Sequence, residues 1–184
     1  EKKIRNTDGV IVPGGYGSRG TEGMTEAINF SRRKKIPFLG LCFGLQMAVI
    51  EFSRNVLGWE KANSSEIDPK TPYPVIDILD SQKDAKHLGG TQRLGSYPAI
   101  LGKGTMVWNI YRSWHKGRGR IEERHRHRYE VNPKFHRDLE KAGLVLSGLS
   151  PDKQLVEFIE LSGKEHPFFV ATQAHPEFKS RFLE

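Results

Sequence analysis

Apolar and polar positions follow two different periods along the first half of this chain. Residues 9–12 form a short apolar run that stops at Pro13-Gly14-Gly15, the pattern of a strand feeding a glycine loop. Residues 22–35 then carry Met24, Ala27, Ile28 and Phe30 on one side, the spacing of an amphipathic helix. Residues 36–41 (IPFLGL) are apolar without interruption, as expected of a central strand covered on both faces. Residues 43–53 are helical in pattern but apolar nearly all round, so this helix is expected to pack directly on the sheet. Strand, helix, strand, helix at this spacing predicts an α/β domain with right-handed crossovers.

The second half changes character. Residues 75–79 read as a strand, 106–111 as a short helix, 121–131 as extended chain and 133–142 as a helix with proline in its first turn. Residues 86–101 hold glycines, arginines and only short apolar patches, while 144–147, 155–161 and 168–173 are strand patterns. The expected fold is an open mixed, mainly parallel sheet with helices on both faces, flavodoxin-like in plan, with an antiparallel flank. Residues 1–184 read as one domain, without repeats, low-complexity tracts or a linker. Residues 1–8 are too polar for the first strand of such a sheet. A βα unit before residue 1 and a helix after residue 184 are therefore expected to complete it.

Composition narrows the class. A chain of 184 residues with 36% hydrophobic and 28% charged residues suits one soluble core. A formal charge of +7 and a pI near 9.5 raise nucleic acid as a partner. The basic clusters at 32–35, 118–120 and 124–128 are separate, however, and no aromatic-interleaved binding motif accompanies them. They read as solvated surface or as sites for small anions, so no nucleic-acid partner is expected. The single cysteine, Cys42, excludes a disulfide within the chain and suits a reducing compartment, with the cytoplasm expected. No stretch approaches 18 apolar residues and no leader pattern opens the chain, so neither membrane insertion nor secretion is expected.

Cys42 sits in Gly40-Leu41-Cys42-Phe43-Gly44, between the buried strand and the buried helix. G-x-C-x-G in that context is a nucleophile elbow, a turn so tight that glycines must flank the strained central residue. At a helix N-terminus the dipole and unpaired N–H groups favour a thiolate, so the thiol is expected below its ordinary ~8.5. A cysteine nucleophile needs a base, and His175-Pro176-Glu177 follows the apolar run 168–173, at a strand end where α/β sites gather. Glu177, two residues on, can fix the tautomer of His175 and stabilise its cation. Backbone N–H groups of the glycine loop (Gly14, Gly15, Gly17) together with the N–H of Phe43 would form an oxyanion hole, each donor contributing about 3 kcal/mol to barrier lowering. A phosphate loop is the rival reading of residues 13–17, but the Lys and Ser/Thr of that motif are absent.

These motifs, in this order, resemble the triad-type (class I) glutamine amidotransferases. Within them, Pro13-Gly14-Gly15-Tyr16-Gly17-Ser18-Arg19-Gly20, Leu39 to Gln46 (LGLCFGLQ), Ala62 to Glu66 (ANSSE), Leu88 to Gly95 (LGGTQRLG) and Glu123 to Asn132 (ERHRHRYEVN) are similar to the amidotransferase domains of the CTP synthase family. The resemblance runs from Asp8 to Phe178; one departure is Gln92, where methionine is more usual.

It implies that Gly15, Phe43, Gly44, Leu45, Gln46, Glu66 and Arg128 bind L-glutamine, with Arg128 on its α-carboxylate. It implies that Tyr16, Gly17, Arg19 and Arg93 border a region where GTP acts as an allosteric activator. No cofactor or metal is implied for this domain. A synthetase domain elsewhere in the polypeptide would use ATP and Mg2+ to aminate UTP, in a homo-tetramer. The same triad could also serve a different acceptor, or simple γ-glutamyl hydrolysis.

The residue types suit free glutamine, whose carboxylate and ammonium call for one fixed cation and one fixed anion. Alternation along an extended 124–128 run puts Arg124, Arg126 and Arg128 on one face and His125 and His127 on the other. That makes a poor metal cage and a good anion-facing edge.

Overall fold

The computed structural model describes residues 4–78 and 92–180. A seven-stranded sheet runs through the molecule in the order β1-β2-β10-β9-β8-β5-β6. Its strands are β1 (Val10–Val12), β2 (Phe38–Leu41), β5 (Arg93–Leu101), β6 (Arg120–His127), β8 (Val145–Leu149), β9 (Val156–Glu160) and β10 (Phe169–Thr172). β1, β2 and β10 are parallel; α1 (Thr21–Lys34) joins β1 to β2, and α2 (Phe43–Asn55) leads out of β2. The other four pairings are antiparallel. The mixed α/β plan is the expected one, but its antiparallel part outweighs the parallel part. The strands after residue 92 follow one another through connections without long crossover helices, which is what antiparallel pairing allows.

A second sheet, β3 (Ala62–Ser64), β4 (Tyr73–Asp77) and β7 (Glu130–Val131), was not expected. The extended run at 121–131 divides between the two sheets. β6 ends at His127, the chain bends at Arg128, and β7 pairs with β4. The long strand β5 occupies a stretch that showed no clear strand pattern, and the expected 133–142 helix is a 3-10 turn (Pro133–Phe135) followed by α5 (His136–Lys141). The strand expected at 75–79 overlaps β4, which starts earlier and ends at Asp77, and position 79, like Leu88-Gly89-Gly90-Thr91 of the LGGTQRLG motif, lies outside the described residues.

Successive residues of β9 and β10 point to opposite faces, so the sheet carries two cores. On one face Phe169, Ala171 and Ile159 meet α2, Ile28 of α1 and Leu139 of α5. On the other, Val170 and Phe158 meet Val107 of α3 (Met106–Ile110), with Tyr111, which leads into α4 (Arg112–His115), packed against them. α2 is the central element: Phe43, Leu45, Met47, Val49, Ile50 and Phe52 are all buried. Each such side chain contributes about 2 kcal/mol of transfer free energy. Arg32 of α1 grips Glu51 of α2 with Nη2 to Oε1 at 2.8 Å and Nε to Oε2 at 3.0 Å, fixing the two helices side by side.

Candidate active site

The turn from β2 into α2 can exist only with glycine on both sides of Cys42. A Cβ on Gly44 would stand 2.2 Å from the carbonyl oxygen of Val12, and one on Gly40 would stand 2.8 Å from the backbone of Gly44. Cys42 has φ 50 and ψ −98, a conformation that a side chain adopts only under constraint. The constraint is visible: its N–H donates to Thr172 O of β10 at 2.7 Å, while α2 closes behind it.

Three segments converge on that turn. His175 follows β10, and its N–H donates to Arg124 O of β6 at 2.7 Å. Its Nδ1 lies 2.7 Å from Glu177 Oε1, which leaves Nε2 turned away from the carboxylate. Phe178 stacks flat on the ring, centroids 4.4 Å apart, so the imidazole cannot swing freely. The glycine loop fills the remaining gap: a Cβ on Gly14 would come within 2.6 Å of His175 Cε1, and one on Gly15 within 3.3 Å of Phe43. Glycine is thus required where the loop passes between base and elbow.

The thiol departs from expectation. Burial pushes Cys42 up to about 12, against smaller lowering effects from the Phe43 N–H and from Gln173, with Glu130 and Glu177 adding to the rise. Helix-terminus donors do act on the sulfur, but removal from water outweighs them. Among the described residues the thiol's side-chain hydrogen bond comes from Gln173 Nε2 at 3.7 Å, and none joins it to His175. Burial thus holds Cys42 as a neutral thiol at neutral pH. Gln173 was not singled out in the sequence, where it closes an apolar strand with nothing to mark it.

Cys42 nevertheless lines a pocket of about 350 Å3 together with Gly15, Gln46, Glu66, Arg128 and Tyr129. Glu66 Oε1 accepts from the N–H of Gly17 at 3.1 Å, tying the glycine loop to the segment after β3. Gln46 Nε2 donates to Tyr129 O at 3.1 Å, tying α2 to the residues after β6. An anion and a cation therefore face one cavity beside a cysteine. Leu45 does not reach it: the side chain is 0% exposed and its N–H is taken by Cys42 O. Gly44 contributes backbone only, wedged against Val12.

Tyr16 is 88% exposed and Arg19 is exposed on the same loop, with Gly17 between them. Arg93 is elsewhere. It is 6% exposed and forked between Glu130 and Glu157 at 3.3 and 2.7 Å, so it is a buried structural cation and not part of an open nucleotide site. The alternation of residues 124–127 holds, with His125 and His127 inward, but Arg128 leaves the strand at the bend and so escapes that pattern. No group of three or more His, Cys, Asp or Glu that could hold a metal ion occurs among the described residues, and none of their helices is long and apolar enough to cross a membrane.

Comparison with known proteins places this geometry. The sequence model of the family described as glutamine amidotransferase class-I matches residues 1–182. CTP synthase from Pelotomaculum thermopropionicum is 56% identical over 181 residues, covering 98% of this chain and 32% of the relative. CTP synthase from Methanocaldococcus jannaschii is 58% identical over 174 residues, 95% of this chain and 31% of the relative. The chain thus spans about a third of the length of the curated relatives it matches. The glutaminase domain of Trypanosoma brucei CTPS, solved with acivicin bound, superposes with a TM-score of 0.89 at 38% identity, covering 98% of this chain and 67% of that one. The match runs over nearly the whole chain in sequence and in fold, and this chain belongs to the class-I glutamine amidotransferase family.

Proposed function

We propose that this chain is the glutaminase domain of a CTP synthase, hydrolysing L-glutamine to glutamate and ammonia through Cys42, His175 and Glu177. The observation that carries the reading is the cysteine on a strained elbow at the floor of a pocket that also presents Glu66 and Arg128. Glutamine brings an ammonium for Glu66, a carboxylate for Arg128, and a side-chain amide that reaches the sulfur.

His175 Nε2 takes the thiol proton as glutamine binds and excludes water. The sulfur attacks the amide carbon, and the oxyanion is held by the N–H groups of Gly15 and Phe43. Imidazolium, steadied by Glu177, gives its proton to the departing nitrogen. Ammonia leaves a γ-glutamyl thioester, which water, deprotonated by the same histidine, opens to glutamate. A resting thiol at about 12 fits this order, because proton transfer then waits for substrate.

Ammonia must travel to an acceptor before water protonates it. In this reading the acceptor site belongs to a synthetase domain of the same protein, where ATP with Mg2+ activates UTP for amination. No described residues of this chain form a metal-binding group for that step. Tyr16, Gly17 and Arg19 border the region proposed for GTP activation, and the assembled protein is proposed to be a cytoplasmic homo-tetramer. Service to another acceptor is the second reading. Glutamate release by the full-length protein, with and without GTP, ATP and UTP, separates the two: stimulation by all three supports CTP synthesis, and indifference to them excludes it. Cys42→Ala is expected to abolish release; normal release from that variant overturns the catalytic assignment.

A further inference from the structure

Behind the pocket wall, β5, β6, β7 and β9 send five ionisable side chains into one buried cluster. Arg93, His125, His127, Glu130 and Glu157 are each at most 7% exposed. Arg93 Nη2 lies 2.7 Å from Glu157 Oε1 and its Nη1 3.3 Å from Glu130 Oε1. Tyr97 sits under the guanidinium at 4.6 Å and meets His125 edge-on, and the fields of His175, Cys42 and Asp152, the last acting on Glu157, also reach the cluster. One cation opposite two carboxylates leaves a net negative charge in the interior if both are ionised, which is strongly penalised. One additional proton makes the cluster neutral.

Bond directions decide where that proton sits. The carbonyl of Tyr129 can only accept, so His127 Nδ1, 3.1 Å away, carries hydrogen. Neutral His127 then has a bare Nε2, which accepts from His125 Nδ1 at 2.9 Å. Neutral His125 in turn has a bare Nε2, and this faces Glu157 Oε2 at 3.4 Å. A lone pair opposite an ionised carboxylate is repulsive, whereas a protonated Glu157 donates and completes the chain. Burial pushes both carboxyls up, Glu130 to about 8, and pushes His125 down to about 2 and His127 to about 3, so the imidazoles are neutral. The larger rise falls on Glu130, yet bond directions favour Glu157. Glu130 Oε1 meets the donors Arg93 Nη1 and His127 Nδ1, and its Oε2 has no hydrogen-bond partner among the described residues to receive a proton. Glu157 Oε2, by contrast, which also accepts from Arg93 Nη1 at 3.4 Å, faces the bare His125 Nε2.

We propose that Glu157 is a positioning residue holding one resident proton, whose direction passes through His125 and His127 to the Tyr129 carbonyl and fixes the Arg128–Tyr129 wall of the pocket. The inference rests on the reading that this pocket takes glutamine. Loss of the proton reverses the chain. Ionised Glu157 draws hydrogen onto His125 Nε2, His125 Nδ1 must then accept from His127 Nε2, and His127 turns a lone pair on Tyr129. Among the described residues the Tyr129 carbonyl then keeps Gln46 Nε2, at 3.1 Å, as its donor, and the hold of His127 on this part of the wall is lost. Glutamine binding therefore weakens as pH rises through the titration of the cluster.

The test uses the full-length protein and measures glutaminase KM and kcat across a pH series for wild type, Glu157→Gln and Glu157→Ala. The wild-type KM is expected to rise about tenfold on the alkaline side, equivalent to about one pH unit beyond the midpoint. The carboxamide of Glu157→Gln donates to His125 at every pH, so its KM is expected to be flat. Glu157→Ala is expected to raise KM about tenfold throughout, with a much smaller change in kcat. Equal damage from Gln and Ala, or a wild-type pH slope retained in Glu157→Gln, overturns the proposal. Infrared difference spectra supply a readout independent of turnover. A carboxylic-acid carbonyl band at neutral pH is expected to vanish in Glu157→Gln, and its persistence there overturns the assignment. A wild-type protein that releases no glutamate refutes the glutaminase reading, while the infrared band still reports the seat of the proton.

Discussion

Glu177 Oε1 stands 2.7 Å from His175 Nδ1, which leaves Nε2 as the nitrogen to serve as base in the proposed triad. Glu177→Gln presents a carboxamide that can force the opposite tautomer, leaving a hydrogen where the thiol needs a lone pair. The expected loss in kcat is about 10²- to 10⁴-fold, by analogy with other triads. Because the Glu177 side chain is 42% exposed, stability should hardly change. An assay of glutamate release beside a thermal melt checks both halves, and full activity in the variant removes Glu177 from the triad.

Two glycines should separate activity from stability. Gly14→Ala drives a methyl to within 2.6 Å of His175 Cε1 and should cost kcat, with little effect on Tm, by tilting the imidazole. Gly44→Ala drives one to within 2.2 Å of Val12 O, backbone against backbone. That overpacking should destabilise by about 3 kcal/mol or more. Denaturant unfolding and turnover, measured on both variants, decide the matter; equal Tm losses would contradict the stated contacts.

Arginines 128 and 93 should behave oppositely. Arg128→Ala removes the carboxylate partner proposed for glutamine and should raise KM by roughly 2–3 kcal/mol in free energy with the fold intact. Arg93→Met leaves the buried Glu130 carboxylate without its cation and Glu157 without its donor, and should destabilise by about 3–5 kcal/mol. A normal melt for Arg93→Met would refute its structural role.

The thiol yields a prediction in pH. Cys42 is raised from 9.0 to about 12 by burial, so the native state keeps its proton where the unfolded chain has lost it. Its contribution to stability is present below about 9 and is lost as pH climbs towards 12. Alkylation of the ligand-free protein by iodoacetamide should be slow at neutral pH and rise only far on the alkaline side. Rapid labelling with a midpoint below that of a free thiol would contradict the burial argument.

Much of the site was legible because tight backbone geometry leaves marks in composition. Gly40 and Gly44 around Cys42 announce an elbow, and His175 with Glu177 beyond an apolar run announces a paired histidine and carboxylate past a strand end. What escaped was set by long-range packing. Gln173 touches the sulfur only because β10 pairs with β2, and nothing local distinguishes it. Arg93 sits in a motif with an arginine-rich look, yet its partners come from β7 and β9, which only the folded sheet brings together. The helix argument predicted a lowered thiol because the local donors are visible in sequence, whereas the burial that overrides them is a tertiary property. The strand β3 was missed for a similar reason: three residues, Ala62–Ser64, are too few to show alternation.

A concealed, protonated sulfur also has a chemical lifetime. Peroxides attack thiolates, and attack falls with both the ionised fraction and access. With Cys42 only 3% exposed and its proton retained, the idle protein should outlast oxidant doses that inactivate enzymes with open thiolates. The strained, buried corner that holds the proposed nucleophile should thereby also preserve it, and activity remaining after graded peroxide exposure would measure how well.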